Sequence, residues 1–214
     1  IPNTHALLTK INNSGDTIWT QKYLFDDNTN AYSVVENSLG NFVFAGYKRD
    51  SISPNNANCK ELLLVETDPQ GNVIWVKTYQ TGFCGASANS IEVTSDGGYI
   101  VCGERELQNS EEQIWVLKIN NQGDTLWTRT FGDPYGEGVA AKQTADGGYI
   151  ITGFGYQNSF SYSIMLIKLD GNGNVTSTSS IPILSSNRKL EKIVDILGRE
   201  TKGKKNEPLL YIYD

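Results

Sequence analysis

The chain has 214 residues, 38% hydrophobic and 20% charged, enough for one sizeable globular domain or two small ones. Its formal net charge of -6 disfavours nucleic-acid binding, because an acidic surface repels phosphates. No apolar run approaches the roughly 20 residues of a membrane-spanning helix, and the 21 glycines and 11 tyrosines suit a β-rich protein with many tight turns.

One sequence unit occurs four times along the chain. Its copies are Leu7–Trp19, Leu63–Trp75, Trp115–Trp127 and Met165–Ser177, the last with Ser177 in place of the tryptophan. The turn glycines Gly15, Gly71, Gly123 and Gly173 are separated by 56, 52 and 50 residues. Each unit predicts a hairpin, because Asx side chains bond their own backbone in turns and glycine supplies a positive φ.

A second unit alternates with the first. It reads Asp-Gly-Gly-Tyr followed by apolar residues at Asp96–Gly103 and Asp146–Gly153, with a degenerate copy at Leu39–Gly46. Each copy predicts a turn leading into a strand that ends at the final glycine.

Two hairpins in about 50 residues are typical of a β-propeller blade. We therefore predict an all-β, partial β-propeller over residues 1–177, with blades at Ala31–Tyr79, Ala88–Phe131 and Gly138–Ser177. The hairpin Leu7–Tyr23 forms the second half of an earlier blade. Trp19, Trp75 and Trp127 are expected in equivalent core positions between blades, with ligand stacking as the alternative.

Three and a half blades do not close a ring, since propellers usually have four to eight. We therefore expect this chain to be a fragment of a longer protein. The alternative is an open arc with exposed strand edges, which are prone to aggregation. A β-solenoid and a β-sandwich are the alternative folds. The two-hairpin period is long for a solenoid and too regular for a sandwich.

The long loops predict a shared face and a disulfide. The loops Lys48–Lys60, Gln80–Ala86, Glu104–Glu112 and Tyr156–Tyr162 should emerge together and hold any ligand site. Their aromatic residues include Phe83, Tyr156, Phe160 and Tyr162. Because Cys59 and Cys84 lie in two of these loops, we predict that they pair, as in exported proteins. Cys102 should be a buried free thiol.

No catalytic, cofactor-binding or metal-binding residue is predicted. His5 is the only histidine, which argues against a Ser-His-Asp triad and a histidine-rich zinc site. Asp170–Asn174 resembles the opening of a calcium loop but lacks the later glutamate, so we interpret it as a turn. Two carboxylates facing a cleft, as in a glycosidase, remain compatible with the sequence.

The composition changes after Ser177. Residues 178–186 are Ser-rich and predict a linker, whereas residues 187–214 predict two short strands around a basic loop. The blocks Lys189–Glu200 and Pro208–Asp214 resemble the type A C-terminal sorting signal of the type IX secretion system of Bacteroidetes-type bacteria. That family usually continues with a short Asp-Gly-Thr-Val-Glu-Lys-like ending, so we expect the signal here to be incomplete.

The resemblance implies a secreted or cell-surface protein that crosses the periplasm and whose partner is the type IX secretion machinery. The repeats are also similar to the repeat regions of such secreted proteins. We expect a non-catalytic binding module for a glycan or a surface protein. The alternatives are an exported, glycosidase-like hydrolase with carboxylates partly outside this chain, and a stalk for another domain.

Overall fold

The computed structural model describes residues 4–26, 28–50, 59–80, 85–107, 111–132, 135–158, 161–182, 190–195 and 209–213. The chain divides into two compact units, Ile1–Ile181 and Pro182–Asp214. Every regular element in these ranges is a β-strand, and none of the described residues forms a helix that could span a membrane.

The first unit contains one two-stranded and three four-stranded antiparallel sheets, whose strands pair in chain order. The first hairpin consists of β1 (Ala6–Ile11) and β2 (Thr17–Tyr23). The first sheet consists of β3 (Asn28–Glu36), β4 (Phe42–Asp50), β5 (Cys59–Thr67) and β6 (Val73–Tyr79). The second sheet consists of β7 (Ala86–Val93), β8 (Tyr99–Glu106), β9 (Glu112–Ile119) and β10 (Thr125–Phe131). The third sheet consists of β11 (Gly136–Gln143), β12 (Tyr149–Asn158), β13 (Ser161–Leu169) and β14 (Val175–Pro182).

These sheets confirm the all-β class and the two hairpins in each repeat period. β14 runs to Pro182, so it includes the first residues of the segment predicted as a linker. In the second unit, β15 (Leu190–Asp195) pairs antiparallel with β16 (Leu209–Tyr213), which confirms the two short strands predicted for the tail.

The sheets stack face to face, so the central strands of the first and second sheets are apolar on both sides. In β4, Val43 and Ala45 belong to a core shared with the second sheet, whereas Phe44 belongs to a core shared with the first hairpin. A third core joins the second sheet to the third through residues such as Ile100 and Ile167. Side chains alternate between faces along a strand, so each central strand contributes to two cores.

Each stacking interface is reinforced at its outer edge. The glycine of the second turn in each sheet lies against the tryptophan of the preceding sheet, so an added Cβ would lie 3.3 Å from Trp19 at Gly71 and 3.4 Å from Trp75 at Gly123. At Gly173 the added Cβ would lie 3.0 Å from Trp127. These contacts confirm equivalent inter-sheet packing positions for the three tryptophans.

Hydrogen bonds to the same turns accompany the tryptophan contacts. The Tyr23 hydroxyl donates to the Gly71 carbonyl at 2.7 Å, and the Tyr79 hydroxyl donates to the Gly123 carbonyl. Phe131 has no hydroxyl, and in its sheet Arg129 Nε donates to the carbonyl of the next turn glycine at 3.0 Å. The hydrogen bond to the next turn glycine is therefore donated by a tyrosine hydroxyl at two interfaces and by an arginine at the third.

The prediction that a strand ends at the last glycine of the second unit was wrong. Gly103 lies inside β8 and faces a β-bulge, because Ala88 pairs with Gly103 while Ser90 pairs with Cys102. The bulge brings the Ser87 carbonyl oxygen to 2.0 Å from where a Cβ on Gly103 would lie. Gly46 and Gly153 face equivalent bulges. The glycine permits close backbone approach and does not end the strand.

We expect Gly103→Ala to lower the free energy of unfolding by at least about 2 kcal/mol, because the backbone must move to accept the methyl group. Gly97→Ala is the matched control, since Gly97 has a φ of +80° but nothing within 4 Å of its added Cβ. The control should cost about 1 kcal/mol from backbone strain alone. Urea unfolding measures both, and equal losses would contradict a steric role for Gly103.

The Asp-Gly-Gly turn of the second sheet holds a buried lysine. Asp96 Oδ2 lies 2.9 Å from Lys118 Nζ, and only 3% of the Lys118 side chain is exposed. Partial burial alone would raise the pKa of Asp96, but hydrogen bonds from Thr94, Lys118 and the Gly98 N–H outweigh it and lower the pKa to about 2. The third sheet repeats the pair with Asp146 and Lys168.

The first sheet uses different chemistry at this position, which explains why its turn sequence is degenerate. Glu66 occupies the lysine position, and its Oε1 accepts hydrogen bonds from Asn37 Nδ2 at 2.9 Å and from Asn41 Nδ2 at 2.8 Å. Two amides thus satisfy a carboxylate where the other sheets pair a carboxylate with a lysine.

We expect Asp96→Asn to lower the free energy of unfolding at pH 7 by about 1–2 kcal/mol, because it removes the counter-charge of a buried ammonium group. The loss is below that of a fully buried pair because Asp96 is half-exposed and solvent screens it. Asp146→Asn should have a smaller effect, since Lys168 is 23% exposed.

The same substitution predicts a pH dependence. The pKa of Asp96 lies below the roughly 3.9 of an unfolded aspartate, so its contribution is present above pH 4 and disappears as the pH falls towards 2. The difference between wild type and Asp96→Asn in urea unfolding should shrink over that interval. A difference that does not change with pH would contradict the ion pair as its cause.

Candidate binding surface at the loop end of the sheets

The ends of three long loops meet on one face of the stack. The Gly85 N–H donates to the Lys60 carbonyl at 3.3 Å, and the Glu106 N–H donates to the Gly85 carbonyl at 2.5 Å. These residues flank the loops between β4 and β5, β6 and β7, and β8 and β9. The described ends of three of the four predicted loops therefore lie side by side.

Six side chains from the three sheets form what we call the loop-end cluster. Its members are Tyr32, Tyr47, Lys60, Glu104, Glu112 and Glu137. The ring centroids of Tyr32 and Tyr47 are 5.9 Å apart, and Lys60 Nζ lies 5.3 Å from the centre of the Tyr47 ring. Lys60 Nζ is also 3.8 Å from Glu104 Oε1, so it links the aromatic pair to the carboxylates.

Two β-bulges bring the cluster together. Tyr32 is the extra residue of the bulge in β3, and its side chain is exposed. Asn89 is the extra residue in β7, and its Nδ2 donates to Glu137 Oε1 of the third sheet at 3.0 Å. Because a bulge changes the direction of a side chain, Asn89 contacts the third sheet and Tyr32 contacts the Tyr47 ring.

The carboxylates of the cluster repel one another. Partial burial raises the pKa of Glu112, and the charge of Glu104 raises it further. The same two causes raise the pKa of Glu137, against a hydrogen bond from Asn89. Lys60 opposes both shifts. The cluster therefore holds three carboxylates and one lysine, with the Arg49 guanidinium beside it at 5.7 Å from the centre of the Tyr47 ring.

Such a surface can bind a polar ligand. Tyrosine rings offer flat apolar faces with polar tips, and carboxylates accept hydrogen bonds from hydroxyl or amino groups. The described residues contain no group of three or more histidine, cysteine, aspartate or glutamate side chains arranged to hold a metal ion.

The calcium-like segment behaves as the turn that the sequence predicted. Asp170 Oδ1 accepts hydrogen bonds from the Asn172 and Asn174 N–H groups, and Oδ2 accepts one from Asn174 Nδ2. Asn12 makes the equivalent backbone contacts in the first hairpin. The carboxylate of Asp170 is therefore engaged by its own turn.

The aromatic residues named from the loops are not those found in the cluster. Phe83 and Phe160 lie outside the described residues, as do the side chains of Tyr156 and Tyr162, whose backbones pair between β12 and β13. Sequence reasoning missed Tyr32 and Tyr47 because both lie within strands. The one available signal was that the residue at the position of Tyr32 differs in every repeat.

The structure describes two of the three cysteines. Cys59 is disulfide-bonded, whereas Cys84, its predicted partner, lies outside the described residues, so their pairing stays a prediction. Cys102 is free and buried, as predicted. Burial raises the pKa of its thiol to about 12, which keeps it protonated and unreactive.

A concave feature lies between the first hairpin and the first sheet. It is an apolar pocket of about 180 Å³. Its lining residues come from β1 to β4 and are Ala6, Leu7, Leu8, Tyr23, Ala31, Tyr32, Ser33, Val34 and Phe44. Tyr32 is therefore a member of the loop-end cluster and also lines the pocket.

No known protein-family profile matches the chain, and no curated protein matches it. The function is therefore argued from the surfaces described above.

Proposed function

We propose that the chain is the repeat region of a secreted or cell-surface β-propeller-like protein and acts as a non-catalytic binding module. The loop-end cluster carries this proposal, because it places aromatic rings, a lysine and carboxylates from three sheets on one face. Binding residues supported by a rigid scaffold are common at such loop ends.

Propeller-like geometry is supported by the inner strands. β3 packs against β7, and β7 packs against β11, so the first strands of successive sheets converge. The outer strands meet the next sheet mainly through tryptophan and a turn. Sheets that converge at one edge and separate at the other fan around an axis, as blades do.

The chemistry of the cluster favours a glycan as ligand, with a surface protein as the alternative partner. The apolar face of a sugar ring can stack on Tyr32 or Tyr47, while its hydroxyl groups donate to Glu104 or Glu137. Aromatic surface combined with a few oriented polar groups is a common feature of small-ligand sites.

The test is a glycan array probed with the labelled full chain. We expect saturable binding that Tyr47→Ala weakens at least tenfold, because the substitution removes a central ring and one of the two partners of Lys60. Ile74→Ala is the control, since Ile74 is a half-exposed apolar residue of β6. An array without signal, or equal binding by both variants, would contradict the site.

One observation supports the alternative function, a glycosidase-like hydrolase. Glu112 and Glu137 both have a raised pKa, and a general acid in glycoside hydrolysis needs a carboxyl group that stays protonated. A hydrolysis screen on the glycans that bind distinguishes the two functions. If the chain cleaves a bound glycan, and Glu112→Gln or Glu137→Gln abolishes that cleavage, the function is catalysis and the binding proposal is wrong.

The location rests on the tail. We propose that residues 187–214 form a type IX secretion signal, supported by the residue blocks named above and by the β15–β16 hairpin that they form. Expression in a type IX-competent bacterium should place the chain at the surface or in the medium with the tail removed, as intact mass would show. The proposal would be overturned if the cell retained this chain and also retained a variant extended by the family's usual ending.

A further inference from the structure

Two arginines of the first unit hold a buried donor that has no acceptor. Four buried side-chain nitrogen or oxygen atoms lack a hydrogen-bond partner in the described part of the chain, and two of them are Arg49 Nε and Arg105 Nε. Such donors are rare, because their lost hydration is not replaced. No ion pair joins either guanidinium to a carboxylate among the described residues. Both residues are partly exposed, so each brings an unpaired positive charge to the surface.

The two arginines lie at the same interface, the one between the first and second sheets. Ala45 of β4 belongs to the core that these sheets share, and alternation along the strand places Arg49 on the same face. Val101 of β8 belongs to that core from the opposite side, and alternation places Arg105 on its face. Both arginines lie beyond the core at the loop end of their strands. The two guanidinium groups therefore come from facing sheets.

Backbone contacts join the strands that carry these arginines and add a third cation. Lys60 of β5 pairs with Arg49 in the register of the first sheet. The Lys60 carbonyl accepts the Gly85 N–H, and the Gly85 carbonyl accepts the N–H of Glu106, the residue after Arg105. The loop end of this interface therefore has a fixed backbone that supports Arg49, Lys60 and Arg105.

An aromatic ring lies beside two of the three cations. Lys60 Nζ is 5.3 Å and Arg49 Cζ is 5.7 Å from the centre of the Tyr47 ring. A cation held over a ring face keeps N–H groups available for an acceptor. The long loops that flank this interface, residues 51–58 and 81–84, contain no aspartate or glutamate, so they add no negative charge.

The carboxylates of the loop-end cluster lie towards the other interface. Alternation places Glu104 on the face of Cys102, which belongs to the core shared by the second and third sheets. Ser87 Oγ donates to Glu104 Oε1 at 3.1 Å, and Lys60 Nζ is 3.8 Å from the same oxygen. The surface is therefore cationic over the interface of the first and second sheets and acidic over the next one.

We propose that the ligand of this surface is an acidic glycan and that Arg49 and Arg105 bind its anionic group, a carboxylate or a sulfate ester, with Lys60 as a further donor. The inference rests on the proposed binding function and names the ligand class. The terminal N–H groups of a guanidinium match two oxygens of such an anion. Hydroxyl groups of the neighbouring sugar units extend towards the acidic interface, where carboxylates accept their hydrogen bonds.

The test is an array of paired glycans probed with the labelled full chain. Each glycan that contains a uronic acid stands beside its carboxyl-reduced form, and each sulfated glycan stands beside its desulfated form. We expect the acidic member of a pair to bind at least tenfold more tightly than the neutral one, and the two kinds of pair distinguish carboxylate from sulfate. Raising the salt concentration to about 0.5 M should weaken this binding, because salt screens the attraction.

Three variants of the full chain locate the anion site. Arg49→Gln and Arg105→Gln should each weaken binding of the acidic glycans at least tenfold. Lys142→Gln is the matched control, since it removes the same charge from a side chain that is 70% exposed near the end of β11 away from the loops, and it should change the affinity less than about twofold. Thermal unfolding verifies that each variant is folded. The comparison of acidic and neutral glycans uses the unmodified chain, so the inference stays falsifiable if a variant is unstable.

Two results would overturn this inference alone. Equal binding of the acidic and neutral members would leave a glycan-binding module without an anion site. A preference for acidic glycans that neither arginine substitution reduces would place the anion elsewhere on the chain. An array without any signal would contradict the proposed function as well, so the two failures are distinguishable.

Discussion

The stack depends on the contact between the outer strand of one sheet and a glycine turn of the next. The turn glycine leaves room for a tryptophan ring, and its carbonyl accepts a hydrogen bond from Tyr23, Tyr79 or Arg129. A side chain at Gly173 would approach Trp127 within 3.0 Å. Steric fit and hydrogen bonding therefore act at the same point, and they set the separation of the sheets at their outer edge.

The hairpins were predictable because their turns are stabilised locally. Asn12 Oδ1 accepts the N–H groups of Ser14 and Asp16, which are near neighbours in sequence. The continuation of strands beyond Gly46 and Gly103 was not predictable from local rules, since glycine normally weakens a strand. It depends on a bulge in the partner strand, and no local pattern indicates which residue is the extra one.

The loop-end cluster depends on packing at a longer range. Tyr32, Glu104 and Glu137 come from three different sheets, and their proximity follows from stacking and from two bulges. The sequence predicted that these loops lie together, because loop positions follow from strand order. It could not predict that the notable side chains lie in the strands beside the loops.

The buried two-faced strands have a consequence for how the protein opens. Among the described residues, the cores lie between successive sheets, so stability approximates a sum of nearest-neighbour interfaces, as in other repeat proteins. The first and second sheets each have a core on both faces, whereas the third sheet and the first hairpin have one each. Amide hydrogen exchange should therefore be slowest in the central strands of these two sheets, β4, β5, β8 and β9, with the ends of the stack opening first as separate cooperative units.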